Sequence, residues 1–244
     1  MSAAPNSTPR LDFERPLVTV DVVIFTVRAE QLQVLLVQRP DGPAEPFPGR
    51  WALPGGFVDV AQDRTLLACA RRKLKDKTGV STPYLEQLGS WGGASRDPRG
   101  WSTTHAYFAL IAVSGQRVQE AAGQPAQQWL PVEDARARKL AFDHGEILEA
   151  ALARLRSKVE YTSLPAFLVP EPITLPQLQL TYEIVLGRSL DKSAFRRRML
   201  DAGFLEEVDT VVGPGGRPAQ GFRLIDRGAP AVFPRPFKSG EQGA

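Results

Sequence analysis

About two-thirds of the way along, the chain changes rhythm, and this change constrains its fold more than any other feature. The divide is the proline-rich stretch Thr162 to Pro172. Proline lacks a backbone N–H and clashes with a continuing helix, so a segment this rich in it reads as a linker between two domains. With 244 residues, the chain is long enough for each part to bury a core.

Before the divide, strands are mixed with a few helices. The β-branched run Val18 to Val27 predicts a strand, and Leu32 to Gln38 a second, antiparallel to it. Gly42 to Gly49 is a loop, and Trp51 to Val58 a short strand with a glycine break. A helix is expected from Asp63 to Lys77, with Leu67, Ala70 and Leu74 at helical spacing and Gly79 past its end. Strands Tyr84 to Trp91 and Thr104 to Val113 bracket the loop Arg96-Asp-Pro-Arg-Gly-Trp101, and Gln128 to Val132 is another strand. A long helix starts at Asp143, where Asp143 and Glu146 have capping-box spacing, and Ile147, Leu148, Ala151, Leu152 and Leu155 form its apolar stripe. The pattern predicts a layered α/β/α domain over 16–161, after a flexible leader over 1–15.

Beyond the linker (162–172) the order is helix, short turn, helix, hairpin. Thr174 and Gln177 have capping-box spacing, with Leu175, Leu178, Tyr182 and Val185 on one side and Gly187 at the end. Asp191 caps a second helix, Lys192 to Ala202. Strands Phe204 to Val212 and Gly221 to Ile225 flank Gly213-Pro-Gly-Gly-Arg-Pro218. This is the order of a winged helix-turn-helix, assigned to 173–226, with a disordered tail over 227–244. The fold class is therefore α+β.

Composition narrows the chemistry by exclusion. The single cysteine, Cys69, allows neither an intramolecular disulfide nor a cysteine-rich zinc site, and two histidines, His105 and His144, argue against a histidine metal cluster. The apolar run Val22 to Phe25 is far too short to span a membrane, and the N-terminus lacks the pattern of a secretory signal. A cytoplasmic protein with no membrane partner is expected. The net charge of +3 is too small to announce a nucleic-acid partner, so the placement of the basic residues matters more.

On the second helix of the C-terminal part, Phe195, Met199 and Ala202 share one side, while Lys192, Ser193, Arg196 and Arg197 share the other. The N-terminal half of such a helix can enter a DNA major groove, where arginine pairs with guanine and lysine neutralises phosphate. Arg217, at the glycine-rich hairpin tip, is placed to reach a minor groove. The plain alternative is a basic face that only solvates the domain.

The second signal is the run from Gly56 to Val80, which resembles the Nudix box, G-x5-E-x7-R-E-U-x-E-E-x-G-U. Glutamates one turn apart on that helix aim oxygens at one point, where Mg2+ bridges a pyrophosphate. Here Arg72, Leu74, Gly79 and Val80 match, but the glutamate positions read Lys73, Asp76 and Lys77, and the first carboxylate position falls on Gln62. Two lysines in place of carboxylates repel Mg2+, so neither catalytic nor metal-binding residues are expected.

Together the two halves resemble the Nudix-related transcriptional regulators of the NrtR family. The resemblance rests on Ala52 to Phe57, Arg71 to Gly79, Arg96 to Arg99, Ala141 to His144, Leu190 to Arg198 and Gly216 to Ala219. It implies a Nudix α/β/α sandwich followed by a winged helix, in a bacterial homodimer on palindromic double-stranded operator DNA, repressing genes of NAD or sugar metabolism. ADP-ribose or a related nucleotide is the implied effector, with no required cofactor. The DNA-contacting residues are expected to be Thr174, Lys192, Ser193, Arg196, Arg197 and Arg217. The effector is expected to meet Arg50, Gly56, Arg72, Arg96, Arg99, Trp101 and Phe142. For Arg96 to Arg99, a dimer contact or a satisfied surface turn remains open beside pyrophosphate binding. The rival reading is a Mg2+-dependent ADP-ribose or nucleoside-diphosphate pyrophosphatase carrying an accessory domain.

Overall fold

A computed structural model describes residues 14–79, 84–112, 126–212 and 218–237. The first domain is built on β1 (Leu17–Arg28), which runs through the middle of a seven-stranded mixed sheet. It is joined by β2 (Gln31–Gln38), β3 (Trp51–Ala52), β4 (Gly55–Phe57), β5 (Tyr84–Gly93), β6 (Ser102–Leu110) and β7 (Gln127–Pro131). One edge of β1 pairs in parallel with β6, from Leu17 opposite Ser102 to Phe25 opposite Leu110. Its other edge is shared antiparallel between β4 and β2.

The alternation of β1 explains the layering. Val20, Val22 and Ile24 point to one face, where they pack with Cys69, Ala70 and Leu74 of α1 (Leu66–Thr78). Val23 and Phe25 point to the other, onto Ile147, Leu148, Ala151 and Leu152. Those four belong to α3 (His144–Val159), which follows the short α2 (Val132–Arg136). The expected α/β/α sandwich is thus present. Helix α1 starts later than expected, because the Thr65 hydroxyl, not Asp63, accepts from the Ala68 amide.

In the second domain β8 (Ile173–Thr174), α4 (Leu175–Leu186), α5 (Lys192–Asp201), β9 (Leu205–Val212) and β10 (Pro218–Leu224) form the expected winged helix. The strands make a small sheet in the order β8-β10-β9. The Thr174–Gln177 capping box forms in both directions, and Asp191 caps α5 by accepting from the Ala194 amide at 2.7 Å. Tyr182 meets Phe195 edge-to-face at 5.2 Å, locking α4 to α5.

Two boundary expectations need correction. The proline-rich connector is not a loose linker: Leu164–Leu168 forms a 3-10 turn whose five residues are all buried. The tail is not disordered from residue 227. Val232 bridges Thr162, Phe233 donates to the Tyr161 carbonyl at 2.7 Å, and Phe237 donates to the Glu160 carbonyl at 3.0 Å. Phe233 and Phe237 are buried in the same apolar cluster as α3, α4 and α5. The charged and proline-rich residues around them masked this anchoring in the sequence, where two isolated phenylalanines do not announce a packed segment. Of the expected leader (1–15), residues 1–13 lie outside the described residues, as do 238–244 of the expected tail.

One apolar cluster therefore runs through both domains, from β1 through α3 to α5 and Phe237. Replacing Phe237 with alanine should cost about 3 kcal/mol of stability, as for other buried phenylalanines. A lowered urea midpoint at unchanged slope will report it; a change below about 0.5 kcal/mol, the usual range for surface substitutions, would mean the strap does not pack.

Candidate functional site

Two surfaces of this fold carry chemistry. The first is a cleft of ≈ 260 Å³ at the end of the first domain's sheet. Its floor is a buried polar network. Asp21, from β1, accepts from the Thr104 hydroxyl at 2.7 Å, lies 3.7 Å from Arg96 and 3.6 Å from His144 Nε2. His144 Nδ1 accepts from the Leu53 amide at 2.8 Å, which leaves Nε2 as the protonated nitrogen facing Asp21. Burial alone would raise the Asp21 carboxyl, but His144, Thr104 and Arg96 outweigh it and hold it below the ordinary carboxylate value. Gly55 completes this floor: a Cβ there would sit 1.9 Å from Asp21 Oδ1, so any side chain would dislodge the network.

Arg96 does not face the cleft as a free cation. It grips Asp143 with two hydrogen bonds of 2.8 Å, and its side chain is only 7% exposed. Asp143 consequently does not cap its own helix: it makes no side-chain cap bond, and the expected capping box with Glu146 is absent. A bidentate guanidinium is the stronger partner for a carboxylate than a single backbone amide. Arg99 pairs with Asp97 in the same manner, at 2.8 and 3.0 Å, and its guanidinium lies 4.9 Å from the Phe57 ring centre.

Of the residues expected at the effector, Gly56, Arg96, Arg99 and Phe142 line this cleft. Phe142, at φ +52°, is packed by Phe47, His144 and Arg39. Arg50, Arg72 and Trp101 are not among the lining residues. Arg50 lies over Phe47, Arg72 is committed to Asp63, and Trp101 is half exposed beyond the cleft. The sequence reading missed Asp21, Arg39, Phe57, Lys77 and His144, which come together only through strand pairing and loop closure.

In the Nudix-like segment the polar side chains are engaged with one another. At Gln62, the position counted for the first carboxylate, the side-chain amide donates to Asp59 at 2.6 Å. The neighbouring Asp63 has both carboxylate oxygens bound by Arg72 at 2.8 and 2.6 Å. That pairing holds the Asp63 carboxyl well below the usual range. The Mg2+ implied by such a segment does not fit the side chains present. Asp63 has its oxygens occupied, while Asp76 is exposed and lies 3.6 Å from Arg72. On the same helix Lys73 and Lys77 are half-buried, and Lys77 lines the cleft. Among the described residues no group of three or more histidine, cysteine, aspartate or glutamate side chains could hold a metal.

The second surface is α5. Lys192, Ser193, Arg196 and Arg197 are all exposed, as expected from the helix geometry, whereas Phe195 and Met199 are buried. Arg198, next in sequence, turns inward. It lies 4.1 Å over the Phe237 ring and donates to the Pro236 carbonyl at 3.1 Å, clamping the C-terminal strap. Thr174 is not available to a ligand: it is 1% exposed, and its hydroxyl is used in capping α4. Arg217 lies outside the described residues.

Comparison with known proteins bears on both halves. Residues 165–224 match the NrtR DNA-binding winged helix domain, and residues 17–151 match the NUDIX domain. The chain is 49% identical over 224 residues to the ADPR responsive transcriptional repressor NtrR of Acinetobacter baylyi, covering 92% of this chain and 88% of that protein. It is similar to the crystal structure of Shewanella oneidensis NrtR complexed with a 27mer DNA, at a TM-score of 0.82 and 41% identity, over 91% of this chain and 99% of that one. The NUDIX domain of the same protein, solved with ADP ribose, matches at a TM-score of 0.54 and 44% identity, over 62% and 94% of the two chains.

The floor network has a pH signature. Because folding lowers the Asp21 carboxyl below its free value of 3.8, the stability it contributes is intact above about pH 4 and is lost as the pH falls through the folded value. Asp21→Asn should therefore lower the melting temperature at pH 7 and flatten the acid limb of the stability profile below pH 4. An unchanged acid limb in that variant would remove Asp21 from the network's energetics.

Proposed function

Since this chain belongs to the NrtR family of Nudix-related transcriptional regulators, we propose that it is a DNA-binding repressor whose Nudix domain senses ADP-ribose instead of hydrolysing it. The observation that carries this reading is the charge on two helices. In α1, lysines stand where a Mg2+ cluster would need carboxylates, and in α5 an outward basic face is backed by a well-packed apolar one. The relative from A. baylyi is by name an ADPR responsive repressor, and the S. oneidensis relative was crystallised with DNA and, as its NUDIX domain, with ADP ribose.

The proposed α5 contacts follow from exposure: Arg196 and Arg197, with Lys192 and Ser193, enter the major groove. Arg217, chosen from its place in the sequence between β9 and β10, is the proposed minor-groove contact. A second copy of the chain places a second α5 about 34 Å away, one turn of DNA, which suits a palindromic operator. In the cleft, the adenine or a ribose packs against Phe57 or Phe142, while Arg39 and Arg99 border the diphosphate.

Sensor and reader are joined mechanically by α3. Its 16 residues span about 24 Å, from Asp143 and His144 at the cleft to the second domain. There Arg156 donates to the Val185 carbonyl, and Glu160 pairs with Arg188. Ligand that favours one placement of α3 shifts the population of protomer arrangements and so the spacing of the two reading helices. The genes it controls are those of NAD or sugar metabolism, and the name of the A. baylyi relative, an ADPR responsive repressor, supports the NAD branch.

A gel shift on DNA from upstream of the chain's own gene tests this. Wild type should bind and ADP-ribose should release it. Arg196→Ala should weaken binding by about 1–3 kcal/mol, roughly 5- to 150-fold. Incubation with ADP-ribose and Mg2+ should yield no AMP; steady turnover would favour the pyrophosphatase reading instead.

A further inference from the structure

The cleft's boundary with α1 raises a question of charge. A diphosphate in a Nudix-like pocket carries negative charge that Mg2+ ordinarily neutralises, yet the carboxylates that would hold Mg2+ are absent or occupied. Something else must balance that charge when the ligand leaves water.

Lys73 and Lys77 are one helical turn apart on α1, so they share a face. That face turns inward: both are half-buried, whereas Arg71, Lys75 and Asp76 around them are exposed. Lys77 lines the cleft directly. Lys73 approaches the Gly55-Gly56 turn, and a Cβ on Gly56 would lie 3.0 Å from its Nζ. Gly56 itself sits at φ +136°, a backbone geometry that side chains avoid, so the turn stays open beside the ammonium group. Neither lysine has an ion-pair partner among the described residues, while Arg72, just before Lys73, is held by Asp63.

We propose that Lys73 and Lys77 replace the divalent cation, so that the cleft binds the diphosphate of its nucleotide without metal. The α1 motif is then a binding site of altered chemistry, with two covalently attached cations where the hydrolytic version recruits two mobile ones. An ammonium group neutralises a phosphate oxygen, but unlike a metal ion it offers no bound water as a nucleophile. The same substitution that removes hydrolysis therefore preserves affinity. This rests on the reading of the cleft as a nucleotide sensor and specifies how it holds its ligand.

Calorimetric titration of the full chain tests it, with ADP-ribose, ADP and inorganic pyrophosphate as probes, each in EDTA and in excess Mg2+. At least one probe should bind in EDTA, with a dissociation constant within about 2-fold of that in Mg2+. In Lys73→Gln/Lys77→Gln it should weaken about 10-fold or more while the thermal midpoint and helical circular dichroism are kept. Lys75→Gln, on the exposed side of the same helix, should change nothing. Binding that requires Mg2+, binding insensitive to the double change, or no binding of any probe would each overturn the proposal. Should the double variant fail to fold, Lys77→Arg and Lys77→Gln decide it: arginine must keep EDTA-resistant binding and glutamine must weaken it. Metal-free binding of ADP or pyrophosphate with none of ADP-ribose would leave the lysines in place and overturn the effector assignment alone.

Discussion

The grip of Arg96 on Asp143 holds the first domain in the shape on which its cleft depends. It ties the β5–β6 loop to the start of α3, and it does so nearly out of water, where breaking one side of such a pair costs about 3–5 kcal/mol. Through Asp21 it joins the central strand, and through His144 it reaches the Leu53-to-Gly56 turn. Strand, turn, loop and helix thus share one polar knot beneath the cleft. Because α3 continues from that knot into the apolar cluster that also holds α4 and α5, the cleft floor and the second domain rest on one packed core.

Basic residues do three different jobs here, and burial separates them. Arg96, Arg99 and Arg72 are each committed to a carboxylate and shape the protein. Lys73 and Lys77 stand half-buried without one, beside the turn of the cleft. Lys192, Arg196 and Arg197 are exposed on α5, next to Arg198, which packs on Phe237. A net charge of +3 conceals all three roles, because a sum over the whole chain does not say which cations are paired or where they sit.

Much of the architecture was legible in advance. Helical spacing located α3, α4 and α5, the Thr174 and Asp191 caps were read correctly, and the glycines after α1 and α4 ended them as expected. The basic face of α5 was legible because neighbouring positions on one helix decide it. The cleft was read only in part. Gly56, Arg96, Arg99 and Phe142 belong to it, but Asp21 looked like any polar residue in a strand and His144 like any residue opening a helix. Arg50, Arg72 and Trp101 lie outside because proximity in sequence to a motif does not fix the direction of a side chain.

What the sequence determined on its own was local: periodicity, caps, turns, and the exchange of carboxylate for lysine along one helix face, all set by interactions within a few residues. What only the tertiary structure decided was competition between partners far apart in the chain. Asp143 was free to cap its own helix until Arg96, 47 residues away, offered two charged hydrogen bonds for one. Arg72 is drawn to Asp63, nine residues away, by two charged hydrogen bonds that the spacing of the motif does not announce. The tail became a strap because Phe233 and Phe237 found an apolar surface assembled from α3, α4 and α5. Long-range partners win such contests through geometry and burial, and neither can be read from spacing alone.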